Sequence, residues 1–102
     1  MPYMAFCEDS SAAEELRQTH LQEHLDYIES ITENIFVAGP TTKRAHSYDG
    51  SCFIYRTDDL ETAQSLLRND PYYAKGVYKT CTFMNFLPAA GTWIGGCVWK
   101  GG

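Results

Sequence analysis

Residues 50–86 read GSCFIYRTDDLETAQSLLRNDPYYAKGVYKTCTFMNF, a strand, a helix and a further strand in succession. The opening GSCFIYR is an apolar run of strand length, and VYKTCTFMNF alternates and is rich in β-branched and aromatic residues. Between them TDDLETAQSLLRND carries helix formers, with Asp58 and Glu61 at the spacing of a capping box and Pro71 as the expected stop. Working outward, the N-terminal half repeats the order. PYMAFCE (residues 2–8) alternates over a strand's length, and EDSSAAEELRQTHLQEHLDYIESI (8–31) has the composition and spacing of one helix. Ser10 or Ser11 is expected to cap it, with Glu14 and Glu15 early, where the helix dipole favours acids. NIFVAGP (34–40) is a short strand closed by Gly39-Pro40, and TTKRAHSYDG (41–50) is a polar loop. The order β-α-β-β-α-β defines an α+β, ferredoxin-like fold, with both helices on one face of an antiparallel sheet.

That arrangement leaves the other sheet face bare. Apolar residues occupy both faces, Phe53 and Tyr55 on one side and Cys52 and Ile54 on the other. A bare apolar face rarely stays in water, so a homodimer with the two sheets face to face is expected. The chain divides into a domain of residues 1–86 and an arm of residues 87–102, LPAAGTWIGGCVWKGG. Trp93, Ile94, Val98 and Trp99 make this arm too apolar for a solvated tail. It is expected to pack on the domain or its dimer partner, as an edge strand, an arm or a lid over a pocket.

With 102 residues the chain has material for one core. A net charge of −5, from 8 Lys and Arg against 13 Asp and Glu, argues against a nucleic-acid partner. No apolar run approaches the roughly 20 residues of a membrane helix, and the N-terminus lacks the pattern of a signal peptide, so a cytoplasmic location with no membrane partner is expected. Cys7, Cys52, Cys81 and Cys97 are widely spaced, which favours buried thiols over a disulfide framework or a zinc site.

The first helix carries the chemistry. On a wheel of about 100° per residue, Gln18, Gln22, Glu15, Asp26, Glu29 and Glu23 form a polar side. The apolar arc of Leu16, Tyr27, Ile31, Ala13, Ile28, Leu21 and Leu25 contains His20, His24 and Arg17. A lone His on such a face is usually a satisfied core residue. Three basic groups together point to a pocket between helix and sheet, because unpaired polar groups are costly to bury. An imidazole there can exchange protons near pH 7. His20 and His24 are also four apart, but Leu21 stands where a metalloprotease helix has its Glu, and no third ligand stands out, so no metal is expected. Asp70 precedes Pro71, which pushes it out of the helical region. It is either a solvated helix stop or, since the two helices lie side by side, a partner able to fix the tautomer of a His. Lys43, Arg44 and His46 are solvated loop residues or contacts to an anionic substrate. No phosphate loop, nucleophile elbow or cofactor motif is present, so no cofactor is expected.

Several segments together carry a resemblance. Arg17-x6-His24-Leu25-x-Tyr27-Ile28, Phe36-Val37-Ala38-Gly39-Pro40, Gly50-Ser51, Asp58-Asp59-Leu60-Glu61-x-Ala63, Asn69-Asp70-Pro71-Tyr72 and Gly76-Val77-Tyr78 resemble the YCII-related proteins over residues 1 to about 86. Each segment is weak alone; their order and spacing are fairly specific. The resemblance implies a ferredoxin-like subunit that pairs into a dimeric α+β barrel. It implies that His24 and Asp70 are the paired His and Asp of a pocket, with Arg17 and Ser51 nearby, and some members are dehydrochlorinases or similar enzymes on small ring compounds. His20 and the Trp- and Gly-rich arm depart from the pattern.

Two functions follow as expectations. The first is a cofactor-free enzyme of lyase or isomerase type that moves a proton on a small cyclic or aromatic-derived molecule by isomerisation, elimination or cyclisation. His24 is its base and acid, Asp70 orients it, and Arg17, His20, Ser51 and Tyr72 contact the substrate. The alternative is a non-catalytic module that binds a small ligand or serves as a dimerising subunit.

Overall fold

The computed structural model describes residues 1–100. Strands β1 (Tyr3–Asp9), β2 (Ile35–Thr41), β3 (Gly50–Tyr55) and β4 (Tyr78–Asn85) form one antiparallel sheet in the order β2-β3-β1-β4. Helices α1 (Ala13–Thr19) and α2 (Leu21–Ser30) follow β1, while α3 (Leu60–Arg68) and α4 (Pro71–Ala74) connect β3 to β4. This is the expected ferredoxin-like order, with each helical segment subdivided.

Register explains the core. Ala5 stands opposite Phe53 and Phe83, and Cys7 opposite Ser51 and Cys81, so one set of alternate residues faces the helices. Ala5, Cys7, Phe53 and Tyr55 are buried there with Ala63 and Leu67 of α3, and Ile28 and Ile31 pack against them. A smaller cluster of Ala13, Tyr72 and Val77 joins α1 to α4. The opposite set, Met4, Ile54, Met84, Phe6 and Cys52, lies on the uncovered face, where Phe6 is 39% and Met84 46% exposed. Gly50 sits where β3 meets β1, and an added Cβ there would lie 2.3 Å from the Cys7 carbonyl oxygen, so only glycine fits.

Several local expectations are corrected. The single helix over residues 8–31 is interrupted at His20, which has φ −109° and is both the end of α1 and the start of α2. Neither serine supplies a side-chain cap: the Ser10 hydroxyl donates to the Gly76 carbonyl at 2.8 Å instead, tying β1's exit to β4's entrance. The α3 cap is Asp59, which accepts from the Thr62 amide, rather than an Asp58–Glu61 box. Asn69 ends α3, and Pro71 opens α4, since its missing N–H costs nothing at a first helical position. Of the cysteines only Cys7 is buried; Cys52, Cys81 and Cys97 are half-buried, and none is in a disulfide.

The arm forms a two-stranded turn of β5 (Ala90–Gly91) and β6 (Gly96–Cys97). Trp93 is 85% and Trp99 67% exposed, so neither indole is covered. Among the described residues, no helix is long and apolar enough to cross a membrane.

Candidate active site

The Asn69-Asp70-Pro71 turn directs Asp70 back under α2. Asp70 starts α4 with φ −71° and ψ 126°, the extended conformation that a following proline favours. One carboxylate oxygen, Oδ1, accepts from the Tyr72 amide at 2.9 Å and lies 2.7 Å from His24 Nδ1. Its side chain is 1% exposed against 15% for His24. A carboxylate oxygen only accepts, so Nδ1 carries a proton, and it is in the neutral imidazole that Nε2 presents a lone pair. The second oxygen, Oδ2, is buried with no partner. Tyr72 stacks on the imidazole with centroids 3.8 Å apart and planes within 1°, fixing the ring's tilt as Asp70 fixes its rotation. The Tyr72 hydroxyl donates to the Arg17 carbonyl at 2.9 Å, anchoring this platform to α1.

Arg17 is a hub rather than a free cation. Its Nε and Nη2 donate to the two oxygens of Asp9 at 2.9 Å each, and Nη2 also reaches Gly50 O at 2.9 Å and Ser51 Oγ at 3.1 Å. Burial opposes its charge, but hydrogen bonding and attraction from Asp9 outweigh this and hold the guanidinium above its ordinary value. The rings of Tyr48, Tyr72 and Tyr78 surround it, with centroids 5.4, 5.4 and 5.9 Å away. Ser51 is buried, and its hydroxyl also receives the Tyr78 OH at 3.0 Å.

A cavity of about 470 Å³ opens over this arrangement. Arg17, His24 and Tyr72 line it, with Leu21 and Leu25 as apolar walls and Pro40, His46, Ser47 and Tyr48 from the β2–β3 side. Leu21 and Leu25, expected in the core, are about half exposed because they face this cavity. Ser51 lies behind Arg17 rather than on the cavity wall, and His20 lies off it, with Nδ1 3.1 Å from Glu23 Oε1. The sequence reading missed Tyr48 and Gln18; a tyrosine within the polar loop was the available signal for the first. Among the described residues, no three His, Cys, Asp or Glu side chains converge as metal ligands.

A fold with two helical segments over a four-stranded antiparallel sheet, holding a carboxylate-oriented histidine in an apolar-walled cavity, defines the class. The YCII-related domain matches residues 1–87, and the chain belongs to that family. Among solved structures, it resembles 5-chloro-2-hydroxyhydroquinone dehydrochlorinase (TftG) from Burkholderia phenoliruptrix AC1100, in complex with 2,5-dihydroxybenzoquinone. That likeness has a TM-score of 0.78 at 22% identity, covering 90% of this chain and 97% of the other, and it shows a shared fold. Weaker likenesses are to protein Atu4242 from Agrobacterium tumefaciens (TM-score 0.49, 11% identity) and an uncharacterized NIPSNAP domain protein from Burkholderia xenovorans (0.47, 18%). Each covers 87% of this chain and 94% of the other. No curated protein matches the sequence.

Proposed function

We propose that this protein is a cofactor-free enzyme that eliminates or shifts a proton on a small hydroxylated ring compound, with His24 as base and acid. The observation that carries the reading is the 2.7 Å His24–Asp70 contact beside the cavity. Nε2 takes a proton from the substrate, and Asp70 stabilises the imidazolium that forms. On a chlorohydroquinone, a keto tautomer with hydrogen on the chlorine-bearing carbon loses a hydroxyl proton to Nε2. The O–H electron pair becomes a C=O while the shifted ring double bond expels chloride to leave the quinone, and His24 then returns its proton to solvent. Tyr48, 59% exposed at the cavity, supplies a face against which a flat ring can stack, while Tyr72 is buried and holds the imidazole from behind. Arg17, already saturated by Asp9, acts mainly by fixing the cavity wall, with Ser51 behind it as a positioning residue. His20, paired with Glu23 outside the cavity, contributes less to binding than Tyr72.

The reading draws its substrate class from the dehydrochlorinase of like fold, and a hydroxylated chlorohydroquinone is the first compound to test. Chloride release and the ultraviolet spectrum should report turnover, and His24→Ala should lower it about 10²–10⁴-fold, the usual worth of a general base. Turnover within twofold of wild type in that variant rejects the assignment. A protein that binds the quinone product but releases no chloride is the ligand-binding module instead.

The subunit is proposed to work as a homodimer through its uncovered sheet face. Its accessible area, 6807 Å², exceeds the roughly 5,800 Å² of a compact monomer of this mass. The Met4, Phe6, Ile54 and Met84 face and the indoles of the arm account for apolar surface that a second copy would cover. Light scattering should give twice 11.5 kDa, and a monomer at micromolar concentration refutes this pairing.

A further inference from the structure

The register of β1 and β4 sets Cys7 directly opposite Cys81. The Phe86 amide donates to the Pro2 carbonyl at 2.9 Å, and residues 3–8 continue that pairing without a shift. Antiparallel positions alternate between hydrogen-bonded and non-hydrogen-bonded pairs, so even-numbered β1 residues belong to the first kind and Cys7 to the second. In that kind the Cα atoms are about 4.5 Å apart with side chains closest, inside the ~4.4–6.8 Å span that a disulfide bridges. Both thiols lie on the helix-covered face. Cys7 is fully buried, and Cys81 is half-buried on the wall of a second cavity of about 540 Å³ that also presents Arg68 and Lys79. The other thiols lack such a mate: Cys52 stands opposite Phe6 and Gly39, and Cys97 opposite Ala90.

We propose that Cys7 and Cys81 form an oxidative modification site, which a hydroperoxide entering the second cavity converts to a cross-strand disulfide. Cys81 is the attacking sulfur because it alone of the two is accessible. Hydrogen bonding with Cys7 also holds its thiol below the ordinary range, while the same contact and then burial push Cys7 up. The Cys81 thiolate attacks the peroxide oxygen, the O–O bond breaks, and the departing oxygen is protonated, leaving Cys81 as a sulfenic acid. The Cys7 thiol then displaces the hydroxyl, forming the S–S bond and releasing one water. Two thiols lose two electrons and the hydroperoxide gains them. The bridged row continues from Cys7 to Ser51, whose hydroxyl holds Arg17, so the oxidised state lies one strand from the first cavity.

Hydrogen peroxide treatment of the full chain, followed by alkylation, proteolysis and mass spectrometry, tests this without reference to any substrate. The expected product weighs about 2 Da less than the reduced protein, contains a peptide pair linked through residues 7 and 81, and reverts with dithiothreitol. Cys81→Ser abolishes the link, and Cys52→Ser/Cys97→Ser retains it. Because Cys7→Ser places a hydroxyl in the core, the wild-type map and Cys81→Ser carry the test. Full alkylation of all four thiols after treatment overturns the proposal. So does a link through Cys52 or Cys97, or a gain of about 32 Da at Cys81 with Cys7 still alkylatable.

Discussion

A thermodynamic cycle on His24 and Asp70 measures the bond on which the site is built. His24→Ala removes a hydrogen bond to a charged group, worth about 1.5–3 kcal/mol, and a stacked ring contact worth about 0.5–1.5 kcal/mol. His24 keeps 15% exposure, so water reaches the gap and the low end applies, about 2–3 kcal/mol in all. Asp70→Asn keeps an acceptor for the Tyr72 amide and loses the charge, costing about 1 kcal/mol. His24→Ala deletes the bond, whereas Asp70→Asn leaves Oδ1 able to accept from Nδ1 and removes only the charge, so the double variant should be about 1 kcal/mol more stable than the sum of the singles. Urea unfolding at pH 7 and one protein concentration reads this, since an m-value near 1 kcal/mol/M converts 2 kcal/mol into a midpoint shift of about 2 M. Additivity within about 0.5 kcal/mol means that the two side chains are not coupled, and the orienting role of Asp70 is then lost.

Three further outcomes follow from the packing. Gly50→Ala forces a Cβ against the Cys7 carbonyl and should cost about 3 kcal/mol or more, whereas Gly39→Ala meets nothing within 4 Å and should leave the subunit's urea midpoint nearly unchanged; equal effects contradict the register. Leu67→Ala, in the α3 core and 1% exposed, should cost about 2–5 kcal/mol by the same assay, and a loss under 1 kcal/mol would show that α3 is not seated on the sheet. Burial holds the Tyr55 and Tyr78 phenols above their ordinary value, so the unfolded chain ionises first: their stabilisation is complete below about pH 10 and is lost as pH rises beyond it. Each contributes a slope of about 1.4 kcal/mol per pH unit there, and Tyr78→Phe should remove one such share; an unchanged slope means Tyr78 is exposed.

The architecture was legible because strand alternation and helix spacing are local signals. The 50–55 segment is an apolar run of strand length, the 78–85 segment alternates, and a helix-forming run separates them, so order alone selected the topology. What escaped depends on contacts distant in sequence. The break at His20 carries no proline or glycine, and Ser10 looks like a cap until Gly76 is seen to take its hydroxyl. Of the three basic residues in the apolar arc, Arg17 and His24 line the cavity, but the wheel gave no means of telling that Arg17 is satisfied by Asp9 eight residues earlier while His20 turns to Glu23. Asp70 was readable as redirected by Pro71; its 46-residue reach to His24 needed the fold.

Two restraints on one imidazole come from a single tripeptide. Asp70 supplies the in-plane partner, Tyr72 the stacked surface, and Pro71 holds the intervening backbone at the start of α4. Displacing this turn therefore carries both constraints along together, and the alignment of the ring is inherited as a block. An insertion of one residue between 70 and 72 would separate the two functions at a stroke, whereas motion of α4 as a body would preserve them. Transplanting the histidine's setting onto another scaffold accordingly requires moving three consecutive residues, with one anchor for the Tyr72 hydroxyl.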